Sequence, residues 1–358
     1  MSNPSKVENR CTPLAEWPAA DRAAWSVAQQ PHDLLEPAVG YASRWRPTTQ
    51  KMIENGYGRW VGWLGRSGQL DPCSTPADRA DRPRVTAYLQ SLHDAGLADF
   101  SVAARLQQLG NALRAMAPGH DWTWLLRASS RVHAQATPAR DPAARMPPAA
   151  EVRALGVDMM YAAENDRFRT ERDRAALFRD GLLITLLFHR SLRLGNLTNI
   201  VIGRQLQRQD DGGRLVFNET GTKGNNPINW PWPAELTSAL ERYIDVHREV
   251  LLRCSRKSIG PTQALWISKQ GTVMTTSAIS FQISGRTEAE FGKAINPHSF
   301  RHLGGTTIAT YDPDHATDIR LILGHTSMKT SEKIYNHAKM IDAGRLYEAT
   351  LAALKDET

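Results

Sequence analysis

Two basic side chains in the second half of this 358-residue chain lie where a cation is unusual. In "HRSLRLGNL", Arg193 lies between Leu192 and Leu194, so its charge must either reach the surface or meet an anion. In "GTKGNN", Lys223 has nearby glycines on both sides, which lets a bulky ligand approach the backbone closely. Taken alone, each of the two side chains can be an ordinary solvated surface charge. The chemistry that both could perform is the binding of an anion.

A third patch, "NPHSFRHLGGT", adds a group that can move a proton. His298 and Arg301 are three residues apart, so they share one face of a helix predicted to start after Pro297, with Phe300 and Leu303 directed elsewhere. An imidazole beside a guanidinium suits phosphate binding combined with proton transfer. The ordinary alternative is a histidine at a helix start and an exposed arginine.

A fourth patch, "LILGHTSMKTSEKIYNHA", supplies a possible nucleophile. Gly324 is predicted to end a helix, which leaves His325 at the turn and places Tyr335 on or beside the next short helix. Either the segment is a turn with a half-buried structural tyrosine, or Tyr335 is a nucleophile. Tyr347 is a poor rival, because it falls on an apolar stripe predicted to be core or interface.

The length and the charge of the chain narrow the class of protein. A chain of 358 residues is too long for one core of typical size, so we expect two domains. Its 41% hydrophobic and 23% charged residues are typical of a globular protein. Forty-four Lys and Arg against 37 Asp and Glu give a net charge of +7 and a pI near 9.4, which favours a polyanionic partner, whether nucleic acid or a membrane surface.

Several classes of protein are disfavoured. The first residues hold no apolar core of signal-peptide length, and the longest apolar run, Gly181 to Phe188, is too short to span a bilayer. Cys11, Cys73 and Cys254 are isolated, which predicts neither a disulfide framework nor a zinc site. We therefore expect a cytoplasmic protein without thiol or zinc chemistry.

The pattern along the chain predicts the elements that position these residues. Residues 1–35 are predicted to be a loosely ordered leader, and residues 36–134 a bundle of about four helices with breaks at Gly96 and near Pro118. The arginines and tryptophans of the bundle are candidates for facing DNA. For the tryptophans, the ordinary alternative is that they form the core of the bundle. Residues 135–150, rich in Pro and Ala, are predicted to be a linker.

Residues 151–358 have a mixed pattern. A long helix is predicted around Arg172 to His189, and two strand-like runs, Arg214 to Glu219 and Pro227 to Trp232, flank a Gly/Asn turn and predict a hairpin with Lys223 at its tip. Several helices are predicted to follow. The expected fold class is mainly α with a small β-sheet, that is, α+β.

Taken in order, the four patches resemble the tyrosine recombinase (phage integrase) family. "SLRLGNLTNI" is similar to the first arginine box, and "GTKGNNPINWPWP" to the hairpin-lysine segment. "NPHSFRHLGGTTIA" is similar to the His-x-x-Arg box, and "IRLILGHTSMKTSEKIYNHA" to the Leu-Gly-His…Tyr box. The resemblance covers about Glu151 to Ala349. It extends more weakly to Tyr41–Ala134, which is similar to the family's core-binding domain. The resemblance implies that residues 151–358 form the catalytic domain.

The resemblance implies a metal-independent and cofactor-independent break in a DNA strand. A tyrosine hydroxyl with a pKa near about 10 needs help to ionise. Planar guanidinium groups match the non-bridging phosphate oxygens, and a histidine titrates near working pH. The implied catalytic set, with Tyr335 as nucleophile and Lys223 as general acid, is Arg193, Lys223, His298, Arg301, His325 and Tyr335.

The resemblance also implies partners. The protein would act on specific sites in double-stranded DNA as a homotetramer on two paired sites, with or without sister recombinases, as the integrase of a mobile element. The amphipathic stretch Lys339 to Lys355 would dock on a neighbouring subunit or pack on its own domain. No membrane partner is expected.

Two positions depart from the family pattern, and two alternatives to a recombinase stay open. The family often has glutamate three residues after the first arginine, where this chain has Asn196, and the gap from His325 to Tyr335 is one residue longer than the commonest spacing. One alternative is a type IB topoisomerase that relaxes supercoils as a monomer. The other is a DNA-binding accessory protein that keeps the fold without activity.

Overall fold

The computed structural model describes residues 11–31, 40–137, 146–167, 169–208, 213–218, 227–255 and 262–304. The chain divides into two compact units, Met1–Arg140 and Asp141–Thr358, called here the N-terminal and the C-terminal unit. Each has its own cluster of buried apolar side chains, and the two clusters share no residue.

The described part of the N-terminal unit is helical. Asp81 caps the third helix by accepting a hydrogen bond from the amide of Arg84 at 2.8 Å, and Gly96 follows that helix with a φ of 72°. The predicted break at Gly96 is therefore confirmed. The helices are α1 (Ala19–Gln29), α2 (Pro47–Arg66), α3 (Arg82–Asp94), α4 (Asp99–Met116) and α5 (Thr123–Gln135).

Residues 11–31 differ from the predicted loosely ordered leader. They carry helix α1, and Trp17 and Trp25 are each only 1% exposed. Trp17 donates from Nε1 to the carbonyl of Thr12 at 3.0 Å and meets Tyr57 of α2 edge-on at 4.8 Å between ring centroids. The sequence did not predict that these tryptophans are part of the core, because prolines interrupt the apolar periodicity on which the prediction depended.

The C-terminal unit is built around one long, buried helix. The unit contains α6 (Ala149–Asn165), α7 (Glu171–His189), α8 (Leu194–Thr198), α9 (Thr237–Arg242), a π-helical segment (Tyr243–His247), α10 (Arg248–Arg253) and α11 (Thr276–Phe291). Helix α7 confirms the predicted helix. It packs tightly on α6, since a Cβ added at Gly181 would lie 2.6 Å from the carbonyl oxygen of Gly156.

A three-stranded antiparallel sheet lies beside these helices. It consists of β1 (Leu206–Gln207), β2 (Arg214–Phe217) and β3 (Ile228–Pro231), in the order β1-β2-β3. The pairing of β2 with β3 sets Leu215 opposite Trp230, so the predicted hairpin is confirmed. Strand β1 was not predicted, because two residues are too few to show an alternating pattern.

The fold is therefore mainly α with a small sheet, as predicted. No helix in the described ranges is long and apolar enough to cross a membrane. Lys223, His325 and Tyr335 lie outside the described residues, as do the predicted C-terminal helix and half of the predicted linker, residues 138–145.

Candidate active site

Arg193 lies at the turn between the central helix and a short one. Helix α7 ends at His189, and Arg193 is the N-terminal cap residue of α8, with its carbonyl accepting from the amide of Leu197 at 2.9 Å. Its side chain is half-buried, and burial lowers the pKa of its guanidinium. The arginine thus occupies a fixed backbone position at the edge of the core.

His298 and Arg301 lie at the start of another helical turn. Residues 299–304 are helical, and the amide of Arg301 donates to the carbonyl of His298 at 3.1 Å. The two side chains differ in environment, because His298 is exposed whereas Arg301 is only 5% exposed. The helix predicted after Pro297 is confirmed. The ordinary alternative predicted an exposed arginine at position 301, and this arginine is buried.

The two arginine segments are held together across more than a hundred residues of sequence. Arg301 donates from Nη1 to the carbonyl of Ser191 at 2.5 Å, and Ser191 donates from Oγ to the carbonyl of Phe300 at 3.2 Å. Ser191 itself is buried. This reciprocal pair of bonds fixes the segment before Arg193 against the segment that carries Arg301.

The pairing brings two positive charges into one half-buried region. Burial, followed by the charge of Arg193, lowers the pKa of Arg301 to about 10, so that the guanidinium still carries its proton at neutral pH. Two charged guanidinium groups at close range repel one another, and an anion placed between them relieves the repulsion. The arrangement is suited to the non-bridging oxygens of a phosphate.

Two neighbouring residues were not among the predicted site residues. His302 is half-buried and meets His298 edge-on, with ring centroids 5.4 Å apart, and burial lowers its pKa, followed by the charge of Arg301. The i, i+4 spacing from His298 was the available signal. Asn196, on α8, is 5% exposed, and its Nδ2 is buried without a hydrogen-bond partner within the part of the chain described.

Arg190 connects the same turn to the hairpin. Its Nε and Nη2 both donate to the carbonyl of Pro231, each at 3.1 Å. Pro231 is the last residue of β3, the strand that returns from the hairpin tip. The residue that anchors the hairpin therefore lies three positions before Arg193 in the sequence. The hairpin tip, where Lys223 is predicted, lies outside the described residues.

The structure thus brings together three of the six predicted residues, Arg193, His298 and Arg301. The other three, Lys223, His325 and Tyr335, fall outside the described residues, so their place in the site remains a prediction. Among the described residues, no group of three or more His, Cys, Asp or Glu side chains could hold a metal ion.

Comparison of the sequence with protein-family models matches residues 157–341 to the phage integrase family. The tyrosine recombinase XerC of Pseudomonas fluorescens Pf-5 is 26% identical over 302 residues, which cover 78% of this chain and 91% of that protein. XerC of Azotobacter vinelandii is 26% identical over 279 residues, covering 75% and 79% of the two chains.

Solved structures share the fold at low sequence identity. The Tn1549 transposon integrase in complex with transposon right-end DNA matches with a TM-score of 0.54 and 14% identity, covering 86% of this chain and 96% of that chain. The XerH recombinase bound to a palindromic difH substrate, in a post-cleavage complex, matches with a TM-score of 0.54 and 13% identity, covering 84% and 79%.

Proposed function

The chain belongs to the phage integrase family, the tyrosine recombinases, and from this premise we propose that its six predicted residues form the site at which it cleaves and rejoins DNA. The enzyme is a site-specific DNA recombinase. The proposal assigns the chemistry to Arg193, Lys223, His298, Arg301, His325 and Tyr335, with Tyr335 as the nucleophile.

One observation carries the assignment. Arg301 reaches the carbonyl of Ser191, and its pKa is lowered by the charge of Arg193, so two boxes that are distant in sequence meet at one place. Two planar forks there can each bind a non-bridging oxygen of the same phosphate. Charge that develops on those oxygens in the transition state would be stabilised by donors already in position.

The proposed first step is an attack on phosphorus. The Tyr335 oxygen forms a bond to the phosphorus while the bond from phosphorus to the 5′-oxygen breaks. His298 accepts the tyrosine proton, and Lys223 donates a proton to the leaving 5′-oxygen. His325 hydrogen-bonds a phosphate oxygen. The products are a 3′-phosphotyrosyl ester and a free 5′-hydroxyl.

Rejoining is the reverse step with a different strand. A 5′-hydroxyl from the partner strand attacks the phosphotyrosyl ester, Lys223 accepts its proton, and Tyr335 leaves with a proton from His298. The ester conserves the energy of the phosphodiester bond, so the reaction balances without a nucleotide. Strand exchange is therefore the natural outcome when two cleaved sites are held side by side.

The partner that we propose is double-stranded DNA with specific recombination sites. The structural neighbours from Tn1549 and XerH were solved with DNA, and the net charge of +7 favours a polyanion. We further propose that a homotetramer acts on two paired sites, and that the DNA belongs to a mobile element. The segment Lys339 to Lys355 is the proposed contact between neighbouring subunits.

The test is to trap the covalent intermediate. The full-length protein is incubated with element-end DNA that carries a nick near the cleavage point, so that the short 5′-hydroxyl strand diffuses away. We expect a protein–DNA adduct on a denaturing gel, with the DNA mapped to the peptide that contains Tyr335. Tyr335→Phe should abolish the adduct and leave DNA binding intact.

Tyr347→Phe is the matched control, because Tyr347 is the next tyrosine and is predicted to lie on an apolar helix face. This variant should retain the adduct. If the Tyr335→Phe protein is still trapped on nicked DNA, the nucleophile is a different residue. If no adduct forms across plausible element ends, the protein is an accessory DNA-binding member of the family.

A further inference from the structure

Arg190 follows helix α7 directly, and its backbone is fixed to the end of that helix. Its amide donates to the carbonyl of Leu186 at 2.7 Å, and its own carbonyl accepts from the amide of Leu192. Its φ of −135° and ψ of 85° are not helical, so the chain turns here toward Arg193. The side chain of Arg190 therefore starts from a fixed place on the central helix of the unit.

The acceptor of the Arg190 side chain lies on an edge of the described sheet. Strand β3 is an edge strand, and Pro231 lies opposite Arg214 of β2. The amide of Trp232 donates to the carbonyl of Gly213 at 2.9 Å, so Pro231 and Arg214 form a non-hydrogen-bonded pair, and the carbonyl of Pro231 points away from β2. A proline fits this position, because it has no amide proton to leave unpaired at an edge.

The guanidinium of Arg190 binds backbone carbonyls. Its Nε and Nη2 form a fork on the carbonyl oxygen of Pro231, each at 3.1 Å, and its Nη1 donates to the carbonyl of His189 at 3.1 Å. The nearby carboxylate of Glu235 is bound by Arg153 at 2.7 Å. A fork of two donors on one oxygen restrains the direction of the contact as well as its length.

The strands of the hairpin pack independently of this fork. Leu215 and Phe217 of β2, Ile228 of β3 and the following Trp232 are buried in the core of the C-terminal unit. Apolar burial of this kind stabilises the base of the hairpin, whereas hydrogen bonds at an exposed edge add little net stability. The fork therefore sets where the edge of β3 lies relative to the turn that ends in Arg193, and the fold does not depend on it.

We propose that Arg190 is a positioning residue for strand cleavage, which holds strand β3 in a fixed place beside the turn of Arg193. The proposed general acid, Lys223, is predicted at the tip of this hairpin, eight residues before Pro231 in the sequence. Proton transfer requires a donor within hydrogen-bond reach of the leaving oxygen, and a misplacement of about 1 Å can cost about 100-fold in rate. Arg190 acts through Lys223, so this role rests on the proposed function.

The test uses duplex DNA in which sulfur replaces the 5′-oxygen at the cleavage point mapped by trapping on nicked DNA. In this substrate the bond from the Tyr335 oxygen to phosphorus forms while the bond from phosphorus to sulfur breaks, and a thiolate leaves. A thiol such as that of cysteine has a pKa near about 8.5, far below that of an alcohol, so the thiolate leaves without a proton from a general acid. The sulfur substrate therefore reports every step except proton donation.

On ordinary DNA, Arg190→Met should form the adduct about 10-fold or more slowly than the wild type at saturating DNA, with unchanged affinity for DNA. On the sulfur substrate it should react within about 2-fold of the wild-type rate, because no proton donor is needed. Lys223→Ala is the benchmark and should show the same pattern with a larger loss. Arg190→Lys keeps one donor to the Pro231 carbonyl without the fork, so its rate on ordinary DNA should be intermediate.

Arg214→Gln is the matched control, because Arg214 lies opposite Pro231 and its Nε donates to Asn229 Oδ1 at 3.1 Å within the hairpin. It removes an arginine at the same level of the sheet and leaves the contact with the turn intact, so it should react at the wild-type rate on both substrates. Equal slowing of Arg190→Met on both substrates would place its effect on Arg193 or on the fold and would overturn the proposal. A wild-type rate on ordinary DNA would also overturn it.

A second measurement, amide hydrogen exchange in strands β2 and β3, is independent of cleavage. Exchange should be faster in Arg190→Met than in the wild type and in Arg214→Gln, because the edge of the hairpin opens more often without the fork. Unchanged exchange would show that Arg190 does not hold the hairpin. A wild-type protein that forms no adduct on either substrate refutes the proposed function, whereas a wild-type adduct without a selective effect of Arg190→Met refutes the role of Arg190 alone.

Discussion

Arg301 has an observed structural role and a proposed catalytic role, and experiment can separate the two. Its Nη1 holds the carbonyl of Ser191, which fixes the turn that precedes Arg193. The pKa of about 10 leaves it charged, and its side chain is almost wholly buried. A lysine could retain the charge but has a single flexible ammonium, so it cannot hold the carbonyl and clamp a phosphate with one planar fork.

We therefore expect Arg301→Lys and Arg301→Gln to reduce the rate of covalent adduct formation at saturating DNA by about 100-fold or more, the usual effect of removing one donor to a developing charge. The measurement is the time course of trapping on nicked DNA, with DNA affinity measured in parallel. Arg153→Gln, which removes an exposed ion pair with Glu235, is the control and should react at the wild-type rate.

Comparison of the lysine and glutamine variants shows whether a lower rate results from a loss of the fold. The lysine variant should retain more of the free energy of unfolding than the glutamine variant, because the ammonium of lysine reaches nearer to the carbonyl of Ser191 than the amide donor of the shorter glutamine side chain does. If both variants form the adduct within a few-fold of the wild-type rate, Arg301 supports the fold alone and is not part of the catalytic set.

Some elements of the site were predictable from local pattern. Helix α7 is marked by Thr170, which caps it by accepting from the amide of Asp173 at 3.1 Å, and by a long apolar run. The hairpin is marked by two strand-like runs around glycines and asparagines. Both signals lie within about twenty residues of sequence, which is the range over which periodicity and turn chemistry act.

The contacts that assemble the site were not predictable in this way. The bond from Arg301 to Ser191 joins residues 110 apart, and the bonds from Arg190 to Pro231 join residues 41 apart. No local rule connects such positions, because carbonyl acceptors occur at every residue. Only the order of the boxes indicated that the segments belong together, and that indication came from the family resemblance.

Helix α6 is tied to α9 and the π-helical segment by one carboxylate. Glu164 accepts from Arg242 at 2.8 Å and contacts His247 Nε2 at 2.9 Å, and His247 stacks on Phe178 of α7 with ring centroids 4.1 Å apart. The hydrogen bond from Arg242, together with that from His247, lowers the pKa of Glu164 to about 2, although burial opposes the shift. The carboxylate is charged throughout the physiological range.

The depressed pKa predicts how stability depends on pH. The unfolded chain binds a proton at Glu164 near the ordinary pKa of 4.5 and the folded chain only near 2, so the stabilisation is fully present above 4.5 and is lost as the pH falls toward 2. Glu164→Gln should therefore lower the free energy of unfolding at pH 7 and flatten its dependence on pH between those values. The measurement is urea unfolding across that series.

Glu241→Gln on α9 is the control for this prediction, because Glu241 is exposed and forms no ion pair with a described residue. It should leave the pH profile unchanged. Equal profiles for wild type and Glu164→Gln would mean that the contacts of Glu164 do not survive in solution.

Among the described residues, each of the two units has a core of its own. Trp17, Trp25 and Trp60 are buried among residues of the N-terminal unit alone, whereas Trp266 is buried in the C-terminal unit and donates from Nε1 to the carbonyl of Leu197 at 2.8 Å. A segment that buries its own apolar surface carries most of what it needs to fold. The proposed domain boundary near residues 135–150 falls between these cores.

We accordingly expect the isolated segment 1–140 to fold without the rest of the chain. Seven of the ten tryptophans belong to it, so urea unfolding followed by tryptophan fluorescence reports on this segment directly. The segment should show one cooperative transition whose midpoint and slope match one phase of the full-length protein, because the slope scales with the surface exposed on unfolding.

A segment without a cooperative transition would show that its core depends on the C-terminal unit, and a full-length protein that unfolds in one step would show that the two cores are coupled.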